Sequence, residues 1–364
     1  MYDVPLARAA PASSFSVASP EDVRQKLKKL SAHCQSFKGA SIPRALFQLV
    51  TTSALFFGTL AATLWAFNRD LPHVWLPLLL LASGLLVRLF IIQHDCGHGS
   101  FLPTKRMNDM VGRFISILTF TPYDYWRRAH NMHHAASGNL SRRTLGAIDT
   151  LTVKEYEALP LHQKLSYRIF RNPFVLLVVG TPLHILVLQR FSPAQNVSYL
   201  GDNFHSMPKK QSLPSIMSLN VALAVVYGIA ITVLGWKPVV FLYIPIVALT
   251  AFIGGWLFFM QHQFEEGYWE YEGDWTFAEA AVLGSSYYAL PKVLQWFTGN
   301  IGLHHIHHLC SAVPNYRLQK CLDGSPELQQ MNRITLLESF RCLLWSLWDE
   351  DKKKMIGFRD LKTA

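Results

Sequence analysis

Fifteen histidines occur in this chain of 364 residues, and eight of them stand in three groups. His94 and His98 lie in HDCGH, His130, His133 and His134 in HNMHH, and His304, His307 and His308 in HHIHH. Residues three and four apart share one face of a helix, so each group presents two or three imidazoles to a common point. A single zinc ion takes about four ligands in all, fewer than these groups supply. The spacing therefore predicts a site for two metals, and imidazole suits iron, copper and zinc alike. An isolated helical histidine is ordinarily packed or solvated, but three groups at ligand spacing are not explained that way.

The elements that must position these groups are membrane spans. Half the chain is apolar and 13% is aromatic. Four apolar blocks, at 46–67, 74–93, 215–234 and 238–260, reach or approach the ~20 residues needed to cross about 30 Å of hydrocarbon. Three blocks contain no charge, and the second carries only Arg88, near enough to its end to snorkel. The short connections at 68–73 and 235–237 predict two tight hairpins.

Charge sets the expected orientation. Of 34 Lys and Arg, seven precede the first hairpin, fourteen lie between the hairpins and ten follow the second, while only Arg69 and Lys237 sit on hairpin tips. The positive-inside rule then places both termini and the middle segment in the cytoplasm. The same bias accounts for the net charge of +10 without a nucleic-acid partner. Lys352, Lys353 and Lys354 are expected to form a solvated or headgroup-facing surface. A fifth apolar stretch, 173–188, would carry the third histidine group to the wrong side if it crossed. It is short and contains Pro182 and His184, so it is read as interfacial or re-entrant, with Arg171 and Arg190 at its ends. His262, in MQHQFEE just past the fourth block, falls on the same side as the three groups and becomes a ninth candidate ligand.

Residues 1–18 are rich in Ala, Ser and Pro, lack the apolar core of a secretory signal and are expected to be disordered. Residues 19–22, Ser-Pro-Glu-Asp, read as a helix start, with the helix running to about His33. The chain thus divides into a cytoplasmic tail and helix (1–45), a membrane domain (46–321) and carboxy-terminal cap helices with a charged tail (322–364). Within the last, 334–348 has the apolar spacing of a helix lying on the cap or the membrane. Five cysteines, Cys34, Cys96, Cys310, Cys321 and Cys342, form no C-x-x-C pair, and on the cytoplasmic side no disulfide is expected.

HDCGHGSF, RRAHNMHHAASGNL and TGNIGLHHIHHLC resemble the three histidine boxes of the membrane fatty acid desaturases, particularly the bacterial and plastid branch acting on lipid acyl chains at Δ12, ω-3 or related positions. The resemblance extends through the spacing of boxes and spans over about 47–321. It implies an all-α integral membrane protein, with four transmembrane helices and a cytoplasmic helical cap carrying a di-iron site, in a bacterial inner membrane. The implied activity is that of an O2-dependent oxidoreductase introducing a cis double bond into a lipid-linked acyl chain. The implied ligands are His94, His98, His130, His133, His134, His262, His304, His307 and His308. His262 matches the histidine that follows the fourth span in the family, whereas His305, His33, His73, His162, His184 and His205 match no ligand position.

Chemistry points to iron from another direction. Taking hydrogen from an unactivated methylene needs a strong oxidant, and zinc has no redox chemistry. Two irons ringed by neutral nitrogens can reduce O2 with outside electrons and remove two hydrogens in turn. No flavin, haem or iron–sulfur motif is visible, so electrons must come from a separate protein, and the basic face suits an acidic donor such as a ferredoxin. Asp95, Asp124, Asp149, Glu265 and Asn300 are candidates to fix imidazole tautomers. Trp126, Trp256, Tyr287, Tyr288, Trp296 and Phe297 are candidates to line an acyl tunnel. Three other readings compete: a hydroxylase, ketolase or acetylenase of the same superfamily; a metal transporter, which would place histidines along a path within the spans; and a structural membrane protein, which gives no reason for nine convergent imidazoles.

Overall fold

The computed structural model describes residues 20–191 and 204–361. The tail expected to be disordered, 1–18, lies outside them. The first helix, Pro20–Gln35, opens where the sequence predicts, with Glu21 and Asp22 in its first turn beside the unpaired N–H groups and positive pole. Leu27, Leu30 and Cys34 form its buried face.

Four helices are long and apolar enough to cross a membrane: Ile42–Phe67, Pro72–His98, Lys209–Leu234 and Trp236–His262. Each has 26 or 27 residues, about 40 Å at 1.5 Å per residue, which exceeds the hydrocarbon thickness by roughly 10 Å. That surplus lets polar residues continue the helices past the apolar blocks. His94 and His98 consequently stand on the final turns of the second span itself, and His262 is the last residue of the fourth. Gly99 stops the second span at φ 69°, a left-handed position where glycine is favoured. The second span is the hub: Ala82, Leu86 and Ile92 share one core with Phe56 of the first span, Leu219 of the third and Ile246 of the fourth. The third span turns Val221, Val225, Ile229 and Val233, four residues apart, outward as a lipid-facing stripe.

The fifth apolar stretch, 173–188, begins at a bend. Leu161–Phe170 and Phe174–Arg190 meet at a bend of 60°, where Pro173 interrupts the backbone ladder. Before the bend, Arg171 donates to Gln263 Oε1 at 2.7 Å, beside the end of the fourth span. After the segment, Phe204–His205 pairs with Arg143–Thr144 close to the second histidine group. Both flanks thus lie beside histidine-bearing elements. Arg190 pins its far end to the third span by exchanging bonds with Asn220, Nη1 to Oδ1 at 3.2 Å and Asn220 Nδ2 to the Arg190 carbonyl at 2.8 Å.

The cap is mostly helical but is stitched by short strands that sequence reading did not foresee. Leu151–Thr152 pairs in parallel with Leu347–Asp349, which pairs antiparallel with Lys354–Ile356. Tyr287–Ala289 pairs in parallel with Arg333–Thr335. The expected helix over 334–348 is therefore replaced by strand, one helical turn at Ser339–Cys342, and strand. Asn332, at φ 42°, breaks the chain there and donates to the carbonyls of Val282, Leu283 and Ser285. The lysine run is solvated and also paired: Lys352 with Asp349, Lys353 with Glu270 and Lys354 with Glu265, the last two tying the carboxy-terminal segment to the cap.

Candidate metal centre

Three helices and the end of a fourth converge on one buried pocket of imidazoles. His94 and His98 are one turn apart on the second span, His130, His133 and His134 lie on Tyr123–Ala136, His304, His307 and His308 on His304–Leu309, and His262 ends the fourth span. Their ring nitrogens fall into two groups, each with all its ligand atoms within 4.8 Å of one another: His94, His98, His130, His134 and His307 in one, His133, His262, His304 and His308 in the other. The rule behind this partition is simple. Each pair spaced four apart (94 and 98, 130 and 134, 304 and 308) stays in one group, while His133 and His307 cross over to the other. The groups adjoin, with the rings of His134 and His308 stacked at 4.1 Å.

The nitrogen contacts have the signature of metal ligands. Nε2 atoms face Nε2 atoms at 3.0 Å between His94 and His130, 3.1 Å between His130 and His134, 3.1 Å between His134 and His307, and 3.0 Å between His262 and His304. Lone pairs aimed at a shared point suit a cation, and neutral imidazole is the ligating form. Burial, reinforced by neighbouring imidazoles, holds His130, His133, His134, His304, His307 and His308 well below the ordinary histidine pKa. The donor set therefore fits two nitrogen-ligated metal ions.

Surrounding groups fix the rings. Asp95, 1% exposed, accepts from His94 Nδ1 at 3.1 Å through one oxygen, and from Asn315 N and Nδ2 at 2.6 and 2.8 Å through the other. Asn315 Oδ1 in turn accepts from Gln48 of the first span at 2.9 Å. One carboxylate thus joins the first span, the first histidine group and the chain behind the third. The second group's helix is fastened by Tyr123, whose hydroxyl donates to the Cys96 carbonyl at 2.8 Å, and by Arg127, which spans Asp109 at 2.7 Å and Asp124 at 3.2 Å. Trp126 stacks on His130 at 4.7 Å, and any side chain at Gly97 would collide with its ring. His262 Nδ1 lies 3.3 Å from the Gly284 carbonyl, which favours the tautomer leaving Nε2 free for metal.

Of the candidate orienting groups, Asp95 holds a histidine directly. Asp124 is engaged by Arg113 and Arg127, Glu265 by Lys354, and Asn300 donates to the Asn315 carbonyl, while Asp149 lines a cavity. That cavity reaches His133 and His262 of the four-histidine group, with Phe258, Ala136, Ala147 and Ile148 among its walls. None of the six aromatics proposed for a tunnel lines it. Phe258, packed on His133 at 5.2 Å and on His262 at 5.1 Å, escaped the sequence reading although it stands one turn before His262. Asn315 and Gln48 also escaped it, since nothing in their local sequence signals a distant carboxylate. His305 turns away, with Nε2 2.9 Å from the Leu328 carbonyl, and His33 caps the Cys321 carbonyl at 2.8 Å, so neither joins the cluster.

Comparison with known proteins agrees with this geometry. A sequence model described as fatty acid desaturase matches residues 71–336. The chain is 37% identical over 346 residues to a fatty acid desaturase of Bacillus subtilis (strain 168), covering 94% of each chain. It is 26% identical to an sn-1 acyl-lipid omega-3 desaturase (ferredoxin) of Nostoc sp. (strain 36), covering 78% of each, and 26% identical to an sn-1 oleoyl-lipid 12-desaturase of Synechocystis sp. (strain ATCC 27184 / PCC 6803 / Kazusa), covering 68% of each.

Proposed function

The chain belongs to the fatty acid desaturase family, and from that premise we propose that it inserts a cis double bond into a lipid-linked acyl chain at a di-iron centre, using O2 and electrons from a separate protein. The observation that carries this reading is nine buried imidazoles in two adjoining groups at one end of four spans. The overall reaction balances as two hydrogens from adjacent methylenes, O2, two electrons and two protons giving an alkene and two waters. Two bound iron ions would supply the oxidising power that no side chain here possesses.

The protein's own residues supply position and surroundings. In this proposal His94, His98, His130, His134 and His307 hold one iron, and His133, His262, His304 and His308 the other. Asp95 keeps the His94 proton on Nδ1, so that Nε2 offers its lone pair inward. The acyl chain would reach the four-histidine group by widening the cavity beside Phe258, about 30 Å³ as it stands, and holding one carbon pair close there would supply much of the rate. The smaller ligand count of that group supports its facing the substrate. Histidines gathered at the span ends, rather than strung through the membrane, favour this reading over a transport path.

The proposed setting is a bacterial inner membrane with termini and active site cytoplasmic, an amino-terminal tail and helix to residue 45, the membrane domain to 321 and a carboxy-terminal segment beyond. The Lys and Arg distribution and the cyanobacterial relatives named for ferredoxin and for acyl-lipid substrates support it. Expression in a host with a competent donor, followed by mass-spectrometric mapping of double bonds in its lipids, tests the activity. New cis double bonds dependent on iron and O2 are expected, and hydroxylated products in their place would overturn it. His133→Ala should lose iron and turnover; full retention of both would sink the ligand assignment.

A further inference from the structure

We propose that the face formed by the amino-terminal helix and the chain behind the third histidine group, centred on Lys29, Lys38 and Lys320, is the docking surface for an acidic electron-donor protein. The proposal rests on the desaturase reading for the donor's existence, but its location comes from the structure. Helix Pro20–Gln35 lies directly over His304–Leu309: Leu27, Leu30 and Cys34 pack in one cluster with Leu303, Ile306 and Leu309. Ile306 and Leu309 share their helix with His304, His307 and His308, so a single layer of side chains separates this face from ligands of both groups.

The elements of the face are locked together. Arg317 Nη1 donates to the Lys38 carbonyl at 3.1 Å, His33 meets the Cys321 carbonyl, and the Tyr316 hydroxyl accepts from Ser41 N at 2.8 Å and donates to the Phe101 carbonyl at 3.1 Å. On this rigid platform Lys28, Lys29, Lys38, Arg44 and Lys320 are exposed, and among the described residues none has a carboxylate within ion-pair distance. Several cations elsewhere on the cap are paired internally: Arg113 with Asp124, Arg127 with Asp109, Arg143 with Glu155, and Lys352, Lys353 and Lys354 as described. A rigid patch of unpaired positive charge next to a redox centre steers and orients a negatively charged partner.

The test uses the full chain loaded with iron in nanodiscs of neutral phosphatidylcholine, with reduced [2Fe–2S] ferredoxin as donor and spectroscopic reduction of bound iron as readout. The triple variant Lys29→Glu, Lys38→Glu, Lys320→Glu should raise the ferredoxin concentration needed for half-maximal rate roughly tenfold and flatten the dependence of rate on ionic strength. Reduction by dithionite with a viologen mediator should be unchanged. Parent-like ferredoxin and salt dependence would overturn the proposal, as would an equal loss with dithionite. A patch that serves anionic lipid would instead show parent rates that depend on added phosphatidylglycerol even with dithionite, a dependence the variant lacks. Because iron reduction is read without double-bond formation, failure of the desaturase reading leaves this outcome separately visible.

Discussion

Asp95→Asn is the substitution that separates a metal-positioning role from a merely structural one. Asp95 is buried and satisfies three donors: His94 Nδ1, Asn315 N and Asn315 Nδ2. Deleting it to alanine would strand those donors at about 1–3 kcal/mol each, a large share of the 5–15 kcal/mol that holds a typical domain together, and the protein would lose its fold along with its metal. The amide keeps the volume and can still accept from Asn315 N through its oxygen. Its nitrogen, however, faces His94 Nδ1 as a donor. Nδ1 must then accept, the neutral ring carries its proton on Nε2, and the lone pair directed at His130 and the metal is lost. Removal of such an orienting group weakens metal binding about 10- to 100-fold, or roughly 1.4–2.7 kcal/mol. Anaerobic competition with a graded series of iron chelators measures this on purified protein, and thermal melting of the iron-free form confirms that the fold survives. Parent iron affinity with an unchanged metal spectrum would refute the reasoning.

Three further outcomes are expected. Ala147→Phe, in the cavity wall beside His133 and His262, should lower turnover more than tenfold while iron content stays at the parent level; equal turnover would remove the cavity from the substrate path. The iron-free protein should lose stability as pH falls below about 6.5, because the unfolded chain gains protons that the buried rings refuse. His305, pushed down to about 4 by burial, accounts for roughly 3 kcal/mol of that loss between pH 6.5 and 4. His305→Gln should flatten this part of the profile in chemical denaturation, and an unchanged profile would contradict the assignment. Trp348→Ala, at a position 2% exposed among Leu140, Trp269 and Met355, should destabilise the cap by about 3–5 kcal/mol, visible as a lower melting temperature.

The spans and the site were legible in the sequence because both are local signals. Leucine- and valine-rich blocks mark hydrocarbon depth, and HDCGH, HNMHH and HHIHH mark helix faces. Span ends were legible only to within a turn or two, since composition reports where the membrane stops and not where the helix does; residues 93–98 and 209–212 are mostly polar and still helical. Cap strands were illegible for a different reason. Leu347 is extended because Leu151 lies beside it, and that pairing spans nearly two hundred residues of sequence. The same limit hid Asn315, whose meaning depends on Asp95, and the route by which His133 leaves its neighbours to join His304 and His308.

That exchange of single histidines between groups bears on how the protein is made. The five-histidine group needs His307, and the four-histidine group needs His133, His262 and two residues near position 308. The five-histidine set is complete only when the chain from His94 to His307 is present, and the four-histidine set only when that from His133 to His308 is, so chains with only the first hairpin inserted complete neither. A metal ion held by either group would act as a keystone, binding together elements that are synthesised far apart.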